Sequence, residues 1–174
     1  LLNPALVDKN TKNVSFNLLN HEIRGTTANS QEKLLLQNCM QRFAENSIRL
    51  IKQLLPYYEN HLQIGRTSFR PVEIKGRISP SYKKDDTRLH VDAFPANPNQ
   101  GRRILRVFSN VNPQDQTRHW RVGQNFESVA KQFLPGVPMQ IPASATLLKL
   151  LKITKSKRTA YDHIMLNIHD RMKK

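Results

Sequence analysis

Leu89-His90-Val91-Asp92-Ala93-Phe94-Pro95 is the stretch on which the reading of the chain turns. Apolar and polar residues alternate along it until a proline stops the run. That alternation predicts a short strand, in which residues i and i+2 share a face. His90 and Asp92 would then offer an imidazole and a carboxylate to one point. With a histidine from a distant strand, such a pair makes a 2-His-1-carboxylate facial triad, which holds Fe(II) on one side and leaves the other side open. Taken by itself the triplet also fits a polar strand end, because many chains carry a His-x-Asp by chance.

The flanks favour a β-rich core. A turn-rich loop, Ala96-Asn97-Pro98-Asn99-Gln100-Gly101, follows the motif. The β-branched run at 104–108 predicts a strong strand ended by Asn110-Val111-Asn112-Pro113, and 118–122 predicts another, with Trp120 read as core ahead of a sugar-stacking platform. Residues 68–70 and 72–74 read as extended around Pro71, before a polar loop at 79–86. Residues 1–29 read as loop with short extended pieces and turn formers at Asn3-Pro4 and Gly25. The clearest helix spans 30–55: Leu36, Met40, Phe43, Ser47, Leu50, Ile51 and Leu54 recur at steps of three and four. Asn29 or Ser30 can cap its start, and Pro56 follows its end. Shorter helices are expected at 126–134 and 147–151. Residues 164–169 suit strand or helix, and 171–174 begin a helix.

No GxxxxGK[ST] or GxGxxG loop is present, and helices do not regularly separate the strands, which disfavours a doubly wound parallel sheet. The expected fold is α+β: an antiparallel barrel or jelly-roll core with an N-terminal helical layer. One partial domain over 1–174 is expected, with the helical layer at 1–65 and the first part of the β-rich core at 66–174.

At 174 residues, 38% hydrophobic and 24% charged, the composition is that of a globular domain with a core. No apolar run approaches the roughly 18 residues of a membrane span, and no signal-peptide pattern opens the chain. Cys39 has no second cysteine to pair with, which fits a reducing compartment; it reads as a small apolar residue on a helix face. Net charge is +15 and the pI about 10.4, so anionic partners are expected: nucleic acid, an anionic membrane or a phosphorylated substrate. A solvated basic surface is the plainer alternative. Aromatic content of 7% without a basic-aromatic stacking motif argues against nucleic acid. The chain opens on Leu1 and stops within His169-Asp170-Arg171-Met172-Lys173-Lys174; a piece cut at both ends is expected.

Longer strings carry a family resemblance. Asp85-Asp86-Thr87-Arg88-Leu89-His90-Val91-Asp92-Ala93-Phe94-Pro95 and Gly101-Arg102-Arg103-Ile104-Leu105-Arg106-Val107-Phe108-Ser109-Asn110-Val111-Asn112-Pro113 resemble the metal-motif region of the Kdo hydroxylases; Kdo is 3-deoxy-D-manno-oct-2-ulosonic acid. Arg66-Thr67-Ser68-Phe69-Arg70-Pro71, Trp120-Arg121-Val122-Gly123, Phe133-Leu134-Pro135 and Tyr161-Asp162-His163 through His169-Asp170 are similar too, so the resemblance runs over nearly the whole chain. It implies a double-stranded β-helix (jelly-roll) core, begun at 66–174 and incomplete at the C-terminus, that uses Fe(II), 2-oxoglutarate and O2 to hydroxylate carbon 3 of Kdo on Kdo–lipid A. It implies His90 and Asp92 as iron ligands and a third ligand beyond Lys174, so that a chain of this length alone would be inactive. With the basic charge, it further implies a cytoplasmic protein, peripheral at the inner face of the bacterial inner membrane. The alternative is a basic nucleic-acid- or anion-binding jelly roll without catalysis; a cupin lacks support, since no histidine-rich second motif is visible.

Other residues carry weaker signals. His163 is the internal rival for the third ligand; Tyr161, His163 and His169 otherwise read as structural or pocket-lining. His21, His61 and His119 have no carboxylate at ligand spacing. Arg103, Arg106 and Arg121 lie in or beside expected core strands, where a guanidinium fork can hold a cosubstrate or substrate carboxylate or phosphate; outward-facing charge is the plainer reading. Asn110 and Asn112 either bind a sugar or shape the turn before Pro113.

Overall fold

The computed structural model describes residues 4–71 and 79–174; the extended reading of 72–74 lies outside the described residues. The chain divides into two compact units, Leu1–Glu73 with Val107–Arg118, and Ile74–Arg106 with His119–Lys174. Residues 107–118 belong to the first unit although 74–106 precede them in the chain.

In the first unit a three-stranded antiparallel sheet forms from β1 (Val14–Asn17), β2 (Glu22–Arg24) and β3 (Thr67–Phe69), in the order β2-β1-β3. Phe16 sits opposite Ile23 on one side and Thr67 on the other, and Val14 opposite Phe69. The alternation of β1 turns Val14 and Phe16 inward, where both are fully buried. The long helix α1 (Ser30–Leu54) covers them with Leu36 and Met40. Its start is set by a capping box: the Asn29 side chain accepts from the Glu32 N–H, and the Glu32 carboxylate accepts from the Asn29 N–H. The Arg66 guanidinium donates to Ser15 Oγ and Glu22 Oε2, both at 3.2 Å, and so ties the entry of β3 to β1 and β2. Gly25 turns out of β2 with φ +78°, where a Cβ would lie 2.5 Å from the Asn13 carbonyl oxygen.

The apolar stripe of α1 faces the sheet only in its first half. Leu36, Met40 and Ala44 are buried, while Leu50 is 45% and Leu54 65% exposed. The first 65 residues are thus not a purely helical layer: two strands precede α1, and the helix packs on the sheet they begin.

The second unit holds α2 (Phe126–Phe133), α3 (Ser144–Leu150) and α4 (Ala160–Met172). Thr159 and Asp162 form a second capping box that starts α4, so residues 164–169 are helical. Asp162, Met165 and Ile168 face inward at steps of three.

The expected strands at 89–94, 104–108 and 118–122 do not form paired strands among the described residues. Alternation and β-branching prepare a segment for a sheet, but a strand exists only where a neighbour supplies the ladder. Trp120, expected in the core, is 64% exposed for the same reason. The arrangement found is mixed: helices and one small antiparallel sheet. Among the described residues, no helix is long and apolar enough to cross a membrane.

Candidate metal centre

Residues 82–100, in the second unit, run back along α4 and are fastened to it at successive points. Lys83 Nζ pairs with Asp170 Oδ2 at 2.6 Å. Lys173, though buried, donates from Nζ to the Lys83 carbonyl at 3.0 Å and lies 3.6 Å from Asp86 Oδ1, so its charge has both a partner and a hydrogen bond. Arg88 Nη1 donates to the Lys173 carbonyl at 2.5 Å, and His169 Nδ1 donates to the Val91 carbonyl at 2.6 Å. Farther along, the Gln100 N–H donates to Asp162 Oδ1 at 2.9 Å. These ties, not a sheet ladder, hold His90 and Asp92 in place.

His90 is half-buried and Asp92 more exposed. His90 Nδ1 lies 2.6 Å from the Arg88 carbonyl. A carbonyl only accepts, so Nδ1 carries the hydrogen and Nε2 of the neutral ring keeps a free lone pair. The ring meets His169 edge-on, with centroids 5.0 Å apart. Burial holds the His169 imidazole below its ordinary pKa; Lys173 and His90 add to the effect, while the Val91 carbonyl and Asp170 oppose it. Asp92 Oδ2 pairs with Arg106 Nη2 at 2.7 Å, which leaves Oδ1 for another contact. The Arg106 guanidinium also lies 6.0 Å from the centroid of the Phe94 ring. A small recess beside the motif is lined by Asp92, Ala93, Phe94, Asn99, Tyr161, Asp162 and Met165.

The donor set suits a facial iron site as far as it goes. One imidazole nitrogen with its tautomer set by a carbonyl, and one carboxylate held by a guanidinium, match how metal ligands are usually supported. Among the described residues no group of three metal-type donors gathers. His163 lies on α4 with Nε2 donating to the Pro138 carbonyl at 2.9 Å and its own carbonyl accepting from Asn167 at 2.8 Å. With the hydrogen on Nε2 its lone pair is on Nδ1, and His163 joins no group of three such donors among the described residues.

The weaker candidates separate clearly. Arg106 serves Asp92. Arg121 is exposed and joins no ion pair among the described residues. Asn110, in the first unit, donates to the Gln116 carbonyl at 2.9 Å and accepts from the Asn112 N–H at 3.2 Å, so its amide shapes the turn. Sequence reasoning missed the pairings of His169 with His90 and of Arg106 with Asp92. The Thr159-x-x-Asp162 spacing was the available signal for α4.

The likeness to solved structures is to one class of protein, the non-heme Fe(II) alphaketoglutarate-dependent dioxygenases. Crystal structures of the Kdo hydroxylase KdoO with alphaketoglutarate (2-oxoglutarate) and Fe(III), with cobalt(II), and in the apo form match at 45% identity, with TM-scores of 0.91, 0.93 and 0.92. Each match covers 99% of this chain and 57% of the other. The chain belongs to the 3-deoxy-D-manno-oct-2-ulosonic acid (Kdo) hydroxylase family, whose model matches residues 1–174. No curated protein matches it significantly.

Proposed function

We propose that this protein is an Fe(II)- and 2-oxoglutarate-dependent hydroxylase that adds one hydroxyl at carbon 3 of Kdo on Kdo–lipid A. Family membership over the whole chain carries the reading, together with KdoO structures that hold Fe(III) with alphaketoglutarate or succinate. The fold that goes with this reading is a double-stranded β-helix (jelly roll).

His90 Nε2 and Asp92 Oδ1 would hold the iron, and a histidine outside the described residues would supply the third position. When bound, the iron with 2-oxoglutarate and O2 supplies the oxidant for the C–H bond. The chain's own residues position this chemistry. The Arg88 carbonyl orients His90, Arg106 steers Asp92, and the neutral His169 packs edge-on against His90 without adding a cation beside the metal. The protein acts in the cytoplasm, peripheral to the inner membrane, where its positive charge meets anionic lipid. A basic jelly roll that binds nucleic acid without catalysis finds no supporting contact.

The experiment is an anaerobic reconstitution of the intact protein with Fe(II), followed by O2, 2-oxoglutarate and Kdo–lipid A. Succinate should form together with a product heavier by one oxygen. His90→Ala should abolish both, and full turnover in chelated, iron-free buffer would refute the mechanism.

A further inference from the structure

Two loops beside Asp92 are cross-linked by hydrogen bonds to backbone carbonyls and carry cations without a countercharge among the described residues. The loop that leaves the motif, 95–103, is stapled to the loop after α3, 151–158, at three points. The Lys155 N–H donates to the Ala96 carbonyl at 2.9 Å, Arg158 Nη2 to the Pro95 carbonyl at 2.9 Å, and Gln100 Nε2 to the Lys157 carbonyl at 3.4 Å. The pair of loops presents Arg102, Arg103, Lys152, Lys155, Lys157 and Arg158. Among the described residues none of these six joins an ion pair, and all but the half-buried Arg158 are exposed.

The sequence explains the imbalance. No acidic residue occurs between Asp92 and Asp115, or between Glu127 and Asp162. The two carboxylates nearest in the chain are already committed. Asp92 holds Arg106, and Asp162 accepts from the Gln100 and Thr159 N–H groups and the Thr159 hydroxyl. Fastening two cationic loops together raises their mutual repulsion, and an anion seated between them relieves it. Guanidinium forks and ammonium groups side by side suit a dianionic phosphate better than a lone carboxylate, which one fork neutralises.

We infer that loops 95–103 and 151–158 form a phosphate-binding surface that seats a phosphate of the acceptor glycolipid while its sugar lies at the His90–Asp92 site. The inference rests on the proposed hydroxylase reading and adds residues and a ligand group that this reading does not assign.

The test compares Kdo–lipid A with the same acceptor stripped of its phosphates, using the intact protein. The wild type should show a KM for the phosphorylated acceptor about tenfold lower or better, the order expected for one or two charge-assisted contacts. Lys152→Gln/Lys155→Gln/Lys157→Gln should bring the ratio of the two KM values close to one. A charge-matched control in the first unit, Lys9→Gln/Lys33→Gln/Arg42→Gln, should keep the wild-type ratio. A wild-type ratio near one, or a ratio unchanged in the loop variant, overturns the inference. So does a loop variant that loses only its binding to phosphatidylglycerol vesicles, which would make this a membrane surface. If no Kdo acceptor yields succinate, the hydroxylase reading has failed, and pyrophosphate binding judges the surface. Binding lost in the loop variant and kept in the control sustains a phosphate site; equal binding in both overturns it.

Discussion

Arg106 holds Asp92: its Nη2 lies 2.7 Å from one carboxylate oxygen, and its guanidinium stands 6.0 Å from the centroid of the Phe94 ring. An arginine that sequence reasoning offers as a cosubstrate anchor is paired with a candidate iron ligand. Arg106→Met keeps the stem and removes the fork. In the intact protein we expect Co(II) affinity to fall about 10–100-fold, as for loss of other residues that support metal ligands, with the KM for 2-oxoglutarate little changed. Unchanged Co(II) affinity with a raised 2-oxoglutarate KM would return Arg106 to the cosubstrate.

The isolated chain of residues 1–174 should bind Fe(II) weakly, since its described residues bring no third donor to His90 and Asp92. His163→Ala should leave that weak affinity as it is, because His163 joins no three-donor group with His90 and Asp92 among the described residues. Tight one-to-one binding in an anaerobic calorimetric titration, lost in His163→Ala, would contradict both statements.

Asp162 makes acid stability depend on one carboxylate. Burial alone would raise its pKa, yet hydrogen bonds from the Thr159 N–H and hydroxyl and from the Gln100 and Asn99 N–H groups outweigh it and hold the pKa below the usual 3.8. A depressed carboxylate contributes stability that is present above its unfolded pKa and lost as pH falls through the folded value. Urea unfolding of the wild type should therefore weaken below about pH 4, and Asp162→Asn should flatten that slope while lowering stability at neutral pH. Parallel pH profiles for the two proteins would show that Asp162 does not carry the effect.

The two halves of α1 should respond differently to truncation. Leu36→Ala removes a side chain packed on Val14 and Phe16 and should cost about 2–5 kcal/mol. Leu54→Ala lies on an exposed turn and should stay within about 0.5 kcal/mol. Equal losses in chemical denaturation of this chain would mean that the end of the helix is covered in solution.

Much of the local structure was legible in the residues. Asn29, Glu32 and Pro56 mark the ends of α1 because capping and ring constraints act within a few residues. His90-Val91-Asp92 and the strings around it identify the family because they are long and unusual. The half-burial of the α1 stripe, the helical state of 164–169, the contact of His169 with His90 and the Arg106–Asp92 pair were decided only by the tertiary structure. So was the exposure of Trp120 and the lack, among the described residues, of paired strands at 104–108 and 118–122. The physical reason is the range of the forces involved. Caps and periodicity are fixed by neighbours in the chain. A strand needs a ladder, a stripe needs a covering surface and a charge needs a partner, and each of these comes from residues far away in sequence.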